Sequence, residues 1–356
     1  MTRKMNVLVC NQWASSFLIV ALVVTLTQTN AQGADKIACL PPHDHYPFCN
    51  QSLPLDDRVH NLISLIPDNI KAALLTARGP DRTGKRQSIP ELGVPSYYWG
   101  SNCIHSSMFS NCTHDGRCSV SFPSGPSQAA TFDSALIQQM ANVVGIETRS
   151  GWNEHWVDNG MNGAGLDCWG PVLNVNRDPR WGRNGEGGTE DPMLMGEVGK
   201  AWTLGLQNGQ DPNHTLVSIT IKHFVANSVE GLWTEDGEQW GTKNATVGRH
   251  TIDANVSKYS LQDYYWPAFR TSIKQGNALG VMCSYNMVRG TPTCLDPLQK
   301  AVRDQWGYEG YVTSDSDSID DAVRVGLFGY TYILFWKAIF SPSFFFFLPV
   351  AFAPLC

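Results

Sequence analysis

Short apolar segments alternate with amphipathic helical segments over residues 94–315, and this alternation restricts the fold more than any other feature of the chain. Two parallel strands of one sheet need a crossover connection between them, which is usually a helix. The pattern therefore predicts βαβ units and an α/β fold built on a parallel sheet. Strands are expected at 94–99, 166–175, 216–224, 278–285 and 310–314, and helices at 134–153, 196–207, 260–274 and 297–306.

Local signals predict where two helical regions begin, end or are interrupted. Between residues 55 and 75, apolar residues recur at near-helical spacing and are interrupted by Pro67, which predicts two helical pieces. The helix expected at 260–274 has Ser260 and Asp263 at the spacing of a capping box, with Asp in the place of Glu or Gln. Gly276 is the expected terminator of that helix.

Polar side chains stand where several of the strands are expected to end. Lys222 and His223 end one apolar run, Tyr285 ends another, and Asp315 ends the last. The C-terminal ends of the strands of a (β/α) barrel converge on one face, so these side chains would share a site with Arg183 from a preceding loop. Charged donors form strong hydrogen bonds to hydroxyl groups, and an aspartate held there can attack the anomeric carbon of a sugar.

Each of these side chains also has a structural interpretation. Arg183 could instead form an ion-pair cluster with a nearby acid, namely Glu186, Glu190 or Asp191. His223 and Tyr285 could belong to the core. Lys222 is harder to explain in that way, because a lysine at the end of an apolar strand must reach a polar group. The joint occurrence of these residues at strand ends favours a binding site.

Four ordered motifs within residues 38–325 resemble the N-terminal barrel of glycoside hydrolase family 3. They are RDPRWGR at 177–183 with EDP at 190–192, KHF at 222–224, VMCSYN at 281–286 and GYVTSD at 310–315. PTCLD at 292–296 and FCN at 48–50 resemble the eukaryotic β-xylosidase/α-arabinofuranosidase branch of that family. The resemblance implies a (β/α)8 TIM-type barrel, incomplete at its C-terminal end, within the α/β class.

The same resemblance implies retaining hydrolysis of β-linked sugars, with xylo-oligosaccharides as expected substrates and with no metal or organic cofactor. Asp315 matches the nucleophile of the family. The residues that match sugar-holding positions are Arg183, Lys222, His223 and Tyr285, and Arg249 resembles a further site arginine. Asn102 stands where many family members carry an acid that bonds the outer sugar hydroxyls, and this departure leaves the sugar preference open.

A second departure follows Asp315. Family members continue beyond the barrel, and their general acid/base generally comes from there, whereas this sequence becomes Phe-rich. Retaining hydrolysis needs a second carboxyl about 5–5.5 Å from the nucleophile, so the expectation is a poor or inactive hydrolase. The rival interpretations are a non-catalytic glycan-binding protein and a surface protein anchored by its tail.

The expected domain organisation has four parts: a signal peptide at 1–31, an N-terminal extension at 32–54, the barrel domain at 55–326 and a hydrophobic tail at 327–356. Arg3 and Lys4 precede an apolar run at 17–24, as in a secretory signal. An uncleaved anchor is the alternative, although the run is short for a membrane span. The tail is interpreted as sequence foreign to the domain, as a membrane anchor or as a buried helix, and Lys337 and Pro342 disfavour the anchor.

Glycosylation sequons and cysteines support secretion. Sequons begin at Asn50, Asn111, Asn213, Asn244 and Asn255. Of ten cysteines, Cys10 lies in the signal and Cys356 at the end, which leaves an even number for disulfides. Two pairs are close in sequence, Cys39 with Cys49 and Cys283 with Cys294. Two further bridges could join the other four, which are Cys103, Cys112, Cys118 and Cys168. Free buried thiols are the alternative, and the expected location is extracellular.

Charge and ligand spacing disfavour two classes of partner. The net charge is −6 and no block of Lys and Arg occurs, so a nucleic-acid partner is not expected. No Cys-x-x-Cys occurs and the histidines are not spaced as metal ligands, so a zinc site is not expected. The expected partner is an oligosaccharide substrate, with a membrane involved only if the tail is an anchor. The oligomeric state is not predicted.

Overall fold

The computed structural model describes residues 38–74, 88–95, 99–107, 118–153, 165–231, 248–295, 297–319 and 321. These residues belong to two compact units, Met1–Tyr97 and Tyr98–Cys356. The predicted signal peptide and the predicted Phe-rich tail lie outside the described residues, as do the sequons at Asn111 and Asn244. The predicted domain boundaries stay predictions.

The first unit contains two consecutive helices, α1 (Leu55–Leu65) and α2 (Asp68–Leu74). Ile66 between them is extended, with φ −78° and ψ 123°, because the ring of Pro67 disfavours a helical conformation in the residue before it. The two helical pieces predicted around Pro67 are therefore confirmed. The predicted disulfide between Cys39 and Cys49 is also present.

The second unit is built on a parallel sheet. Its strands are β1 (Gly100–Asn102), β2 (Asp167–Val172), β3 (Ser218–Phe224), β4 (Asp253–Ala254), β5 (Gly280–Cys283), β6 (Met287–Val288), β7 (Thr291–Pro292) and β8 (Tyr311–Ser314). Five of them form one sheet in the order β1-β2-β3-β5-β8, in which every neighbouring pair is parallel. The short strands β4, β6 and β7 form a separate small sheet. The predicted α/β fold with a parallel sheet is confirmed.

The resemblance also predicts that the parallel sheet closes into a barrel. Neighbouring strands of the main sheet follow one another in chain order, which is the arrangement that a (β/α) barrel requires. The described residues do not show closure of the sheet, so the barrel stays a prediction. For the strand expected at 94–99, residues 96–98 lie outside the described residues, and the first described strand begins at Gly100.

Helices connect the strands. They are α3 (Gly125–Ala129), α4 (Ser134–Asn153), α5 (Pro192–Gln207), α6 (Lys258–Ser260), α7 (Pro267–Lys274) and α8 (Pro297–Trp306). The prediction for α5 placed its start at residue 196, which is four residues late. The side chain of Asp191 accepts hydrogen bonds from the backbone N–H groups of Met193 and Leu194, and Pro192 occupies the first helical position. Both features are ordinary helix-start signals.

The helix predicted at 260–274 is interrupted. A π-helical stretch, Leu261–Tyr265, separates α6 from α7, and the Trp266 N–H bonds to the carbonyl of Leu261 at 2.9 Å. Pro267 has no N–H to continue an α-helical ladder, which accounts for a change of pattern immediately before it. The predicted capping box was wrong, because the cap is Ser257, whose hydroxyl accepts from the Ser260 N–H at 2.9 Å.

The core of the second unit is centred on β3, in which all seven residues are buried. A parallel strand that is covered on both faces is expected to be apolar nearly throughout. Helix α5 packs against both α4 and α7. Gly205 makes the contact with α4 possible, because a Cβ atom there would lie 2.2 Å from the carbonyl oxygen of Gln138.

A buried polar cluster joins three strands near their N-terminal ends. The carboxylate of Asp167 accepts hydrogen bonds from Thr220 Oγ1 at 2.7 Å, from the Tyr311 hydroxyl at 2.6 Å and from Trp169 Nε1 at 3.0 Å. The Tyr311 hydroxyl also bonds to Ser218 Oγ at 2.6 Å. Burial raises the pKa of Asp167 to about 6, against the opposing effect of its three hydrogen bonds. Sequence reasoning did not identify this cluster.

Disulfides in the second unit agree with the predicted pairing as far as the described residues extend. Cys283 is bonded to Cys294 and Cys103 to Cys168, and Cys118 is also disulfide-bonded. The residues described contain no helix that is both long and apolar enough to cross a bilayer. They also contain no group of three or more His, Cys, Asp or Glu side chains that could hold a metal ion.

Candidate active site

The C-terminal ends of β3, β5 and β8 carry the predicted site residues to one edge of the sheet. Lys222 and His223 lie in β3, and Tyr285 and Asp315 follow β5 and β8. The three strands are neighbours and run parallel. The Asp315 N–H donates to the carbonyl of Cys283 at 3.2 Å, so the chain after β8 leaves the sheet beside the end of β5. Residues from three separate segments of the sequence are therefore close in space.

Asp315 is held at this edge by contacts from three directions. Its Oδ2 lies 3.3 Å from Nε2 of His223, and its Oδ1 accepts from the Ser316 N–H at 2.8 Å. The hydroxyl of Tyr285 is also hydrogen-bonded to this carboxylate. The side chain of Asp315 keeps 15% of its surface exposed, whereas His223 keeps 2%. The carboxylate is thus fixed in position and still accessible.

His223 is a buried histidine whose Nε2 edge faces Asp315. Burial lowers its pKa well below the ordinary value, and the positive charges of Lys222, Arg183 and Arg249 act in the same direction, so the imidazole is neutral. Its backbone is bound on both sides by the amide of Asn174, which donates to the His223 carbonyl and accepts from its N–H, each at 2.9 Å. The alternative interpretation as a core residue is correct for its burial, but the ring also borders the site.

Arg183 forms the ion pair that sequence analysis gave as its alternative role. Its guanidinium donates two parallel hydrogen bonds to Glu186, at 2.8 and 2.7 Å. Burial acts to raise the pKa of Glu186, but the hydrogen bonds and charge of Arg183, together with Lys222, outweigh it, so the pKa is lowered. The Nη1 atom of Arg183 still lies 3.4 Å from Nε2 of His223. The ion pair therefore orients Arg183 toward the site.

Lys222 reaches across the sheet to the end of β1. Its ammonium group donates to Oδ1 of Asn102, and the residue is 3% exposed. Burial lowers the pKa of Lys222 to about 8, with Arg183 acting in the same direction and Glu186 and Asp315 opposing it. Lys222 thus remains a charged donor at neutral and acidic pH. Asn102 itself is exposed.

The guanidinium of Arg249 packs against the ring of Tyr285. The guanidinium carbon lies 4.6 Å from the ring centroid, within the range of a cation–π interaction. Burial, and then the charge and hydrogen bond of Asp315, raise the pKa of Tyr285 above its usual range, so its hydroxyl stays protonated and donates to that carboxylate. Glu230 accepts from Arg249 Nη1 at 3.3 Å and from Trp181 Nε1 at 3.0 Å.

The structure therefore brings five predicted residues into one connected set of contacts: Asp315, His223, Arg183, Tyr285 and Arg249. The charges of Arg183 and Asp315 also act on the pKa of Lys222, which in turn bonds to Asn102. Their roles in binding or catalysis stay predictions. Sequence reasoning missed two residues that bond to Arg249, namely Glu230 and His250. Neither stands at a strand end, and no spacing rule identifies them.

A family comparison covers most of the region that carries these residues. The Glycosyl hydrolase family 3 N terminal domain matches residues 112–328. The chain is 34% identical over 322 residues to Beta-D-xylosidase 3 of Arabidopsis thaliana, which covers 87% of this chain and 38% of that protein. It is 35% identical over 302 residues to Beta-xylosidase/alpha-L-arabinofuranosidase 2 of Medicago sativa subsp. varia, which covers 83% of this chain and 36% of that one.

Solved structures give a similar picture. The GH3 exo-beta-xylosidase XlnD, in complex with a xylobiose aziridine activity-based probe, superposes with a TM-score of 0.67 at 26% identity over 83% of this chain and 35% of that one. A beta-glucosidase from Kluyveromyces marxianus in complex with glucose gives 0.56 at 25% identity, over 76% and 28% of the two chains. This chain spans a little over a third of the length of the curated relatives above.

Proposed function

The chain belongs to glycosyl hydrolase family 3, and on that premise we propose that it is part of a secreted, retaining glycoside hydrolase of β-linked sugars. The proposed substrates are xylo-oligosaccharides of the plant cell wall. The β-xylosidases among its relatives support this choice of sugar. We further propose that residues 55–326 fold as part of a (β/α)8 barrel, preceded by an extension and a signal peptide.

The observation that carries the proposal is the environment of Asp315. An accessible carboxylate lies 3.3 Å from a neutral imidazole and accepts a hydrogen bond from a tyrosine hydroxyl. In the proposed first step, a carboxylate oxygen of Asp315 forms a bond to C1 of the sugar. The bond between C1 and the leaving oxygen breaks, and its electron pair departs with that oxygen. We assign Lys222, Arg183 and His223 the role of donating hydrogen bonds to the sugar hydroxyls.

The leaving oxygen must also receive a proton, and the described residues offer no suitable acid beside Asp315. Both carboxylate oxygens of Glu186 are bonded to Arg183, and its pKa is lowered. The oxygens of Glu230 accept from Trp181 and Arg249. General acid catalysis is typically worth about 10²–10⁴-fold, so we propose that this chain by itself hydrolyses unactivated glycosides poorly.

An activated substrate tests the nucleophile without the need for a general acid. Dinitrophenyl β-xyloside releases a stable anion that needs no protonation, so wild-type protein should give a burst of dinitrophenolate stoichiometric with the protein. Turnover after the burst should be slow, and azide should accelerate it because azide attacks the intermediate without a general base. Asp315→Asn should abolish the burst, whereas Asp317→Asn, which removes an exposed carboxylate two residues away, should retain it.

Two results would count against the proposal. Absence of any burst from a folded wild-type protein would exclude Asp315 as a working nucleophile. Equal turnover of dinitrophenyl and methyl β-xylosides would show that the leaving group is protonated after all.

The carboxylates of Glu186 and Glu230, each bonded to an arginine, also favour a second candidate function, a glycan-binding protein without turnover. Isothermal titration with xylobiose tests it, because binding without a burst is its signature.

A further inference from the structure

A second set of buried polar contacts lies beside the ring of Tyr285. Nδ1 of His250 lies 2.6 Å from Oδ2 of Asp321, and each of these side chains is 9% exposed. Nε2 of the same imidazole lies 3.1 Å from Nε of Arg249. The ring centroid of His250 is 4.5 Å from that of Tyr285. Tyr285 is thus linked to two carboxylates of the segment after β8. Asp315 interacts with its hydroxyl, and Asp321 is connected to its ring through His250.

The partners of His250 determine where its proton lies. The guanidinium Nε of Arg249 can only donate, so Nε2 of His250 must be the acceptor and carry no proton. The proton is then on Nδ1, and this N–H donates a hydrogen bond to the carboxylate of Asp321. The opposite tautomer, or the imidazolium ion, would turn an N–H toward the Arg249 N–H. Asp321 therefore selects the one form of His250 that can bind Arg249.

Arg249 is held between this imidazole and Glu230, and the face of Tyr285 lies 4.6 Å from its guanidinium carbon. Tyr285 in turn donates to Asp315. We propose that Asp321 and His250 are positioning residues that hold Arg249 against Tyr285 and thereby fix the hydroxyl that bonds to Asp315. The inference rests on the proposed function, because it assigns these residues a part in the attack by Asp315.

The experiment compares two single variants and their combination. Asp321→Asn removes the carboxylate and allows an amide N–H to face Nδ1, which favours the wrong tautomer. His250→Phe keeps a ring against Tyr285 but removes both hydrogen bonds. Each variant should slow the dinitrophenolate burst about tenfold at saturating substrate, with little change in the affinity for xylobiose. The double variant should be no slower than His250→Phe alone, because Asp321 acts only through the imidazole.

Asp317→Asn is the matched control, since Asp317 is an exposed carboxylate in the same segment, and asparagine tolerates its positive φ of 67°. Its burst should equal that of wild type. A merely structural role for Asp321 would lower the melting temperature without slowing the burst at temperatures where the protein is folded. That result, or independent effects of the two substitutions, would overturn the inference.

A spectroscopic measurement decides the positioning claim even if the wild type gives no burst and the proposed function fails. In protein labelled with ¹⁵N-histidine, the nitrogen shifts of His250 should report a neutral ring protonated at Nδ1. In Asp321→Asn they should move to the other tautomer, and the ring signals of Tyr285 should shift as Arg249 leaves its face. An imidazole of wild type protonated at Nε2, or Tyr285 signals unchanged in Asp321→Asn, would refute the contact chain.

Discussion

The buried carboxyl of Asp167 should make the stability of this protein depend on pH in an unusual direction. Its pKa is raised from 3.8 to about 6, chiefly by burial. A carboxyl whose folded pKa lies above its unfolded value stabilises the fold below the unfolded pKa, and that stability is lost as the pH rises through the folded pKa. The free energy of unfolding should therefore fall between about pH 4 and pH 6, with the loss complete above the folded value.

The size of the effect follows from the two pKa values. The difference between 3.8 and about 6 is worth about 3 kcal/mol, at about 1.36 kcal/mol for each pH unit. The other titratable group of the cluster is Tyr311, and the hydroxyl of Tyr308 donates to its backbone carbonyl at 2.5 Å. Burial raises the pKa of both tyrosines well above the ordinary value, so they stay neutral over this range. Asp167 is thus the one group of the cluster whose charge changes there.

Urea unfolding followed by tryptophan fluorescence at pH 4, 5, 6 and 7 would measure this dependence. Asp167→Asn keeps an oxygen for Thr220 and Tyr311 but turns an amide N–H toward Trp169 Nε1, so it should cost some stability at every pH. The deciding quantity is the change in the free energy of unfolding with pH. Between pH 4 and pH 7, the loss should be about 3 kcal/mol smaller in Asp167→Asn than in wild type. Asp304→Asn, at an exposed carboxylate of α8, is the control and should keep the wild-type slope. Equal slopes for wild type and Asp167→Asn would refute the reasoning.

Three further predictions test other parts of the structure. Gly205→Ala should destabilise the protein by about 1–3 kcal/mol, because its Cβ would meet a backbone oxygen of α4, whereas Gly185→Ala, which has nothing within 4 Å, should melt near the wild-type temperature. Asp191→Ala should cost about 0.5–2 kcal/mol in urea unfolding through loss of the α5 cap, and an unchanged midpoint would contradict the capping role. Lys222→Met should weaken xylobiose binding at least about tenfold in isothermal titration by removing a charged donor, and unchanged affinity would place the sugar elsewhere.

Much of the sheet could be predicted because its signals are local. The continuous apolar run that forms β3 indicates a strand covered on both faces, and the helix at 134–153 has the expected bounds. Asp133 marks its start by accepting from the Leu136 N–H at 3.0 Å. The strand-end rule then groups Lys222, His223 and Asp315 from sequence alone.

The rest depended on contacts that leave no local pattern in sequence. Asp167 is the first residue of β2, and its partner Tyr311 is 144 residues away. His250 and Asp321 are 71 residues apart. The sequence predicts a continuous helix before and after Pro267, because apolar spacing does not distinguish an α-helical turn from the π-helical one that the structure has there. Pairings of this kind are fixed by the packing of the whole unit.

The nucleophilic role of Asp315 is most directly tested by trapping the sugar on it. A fluorinated xyloside with a dinitrophenyl leaving group forms the covalent intermediate but slows its breakdown. Digestion and mass spectrometry of the treated protein should then locate one added fluoroxylosyl group on the peptide that contains residue 315, and Asp315→Asn should remain unlabelled. A label on another carboxylate, such as Glu186 or Glu230, or a folded wild-type protein that takes up no label, would contradict the account.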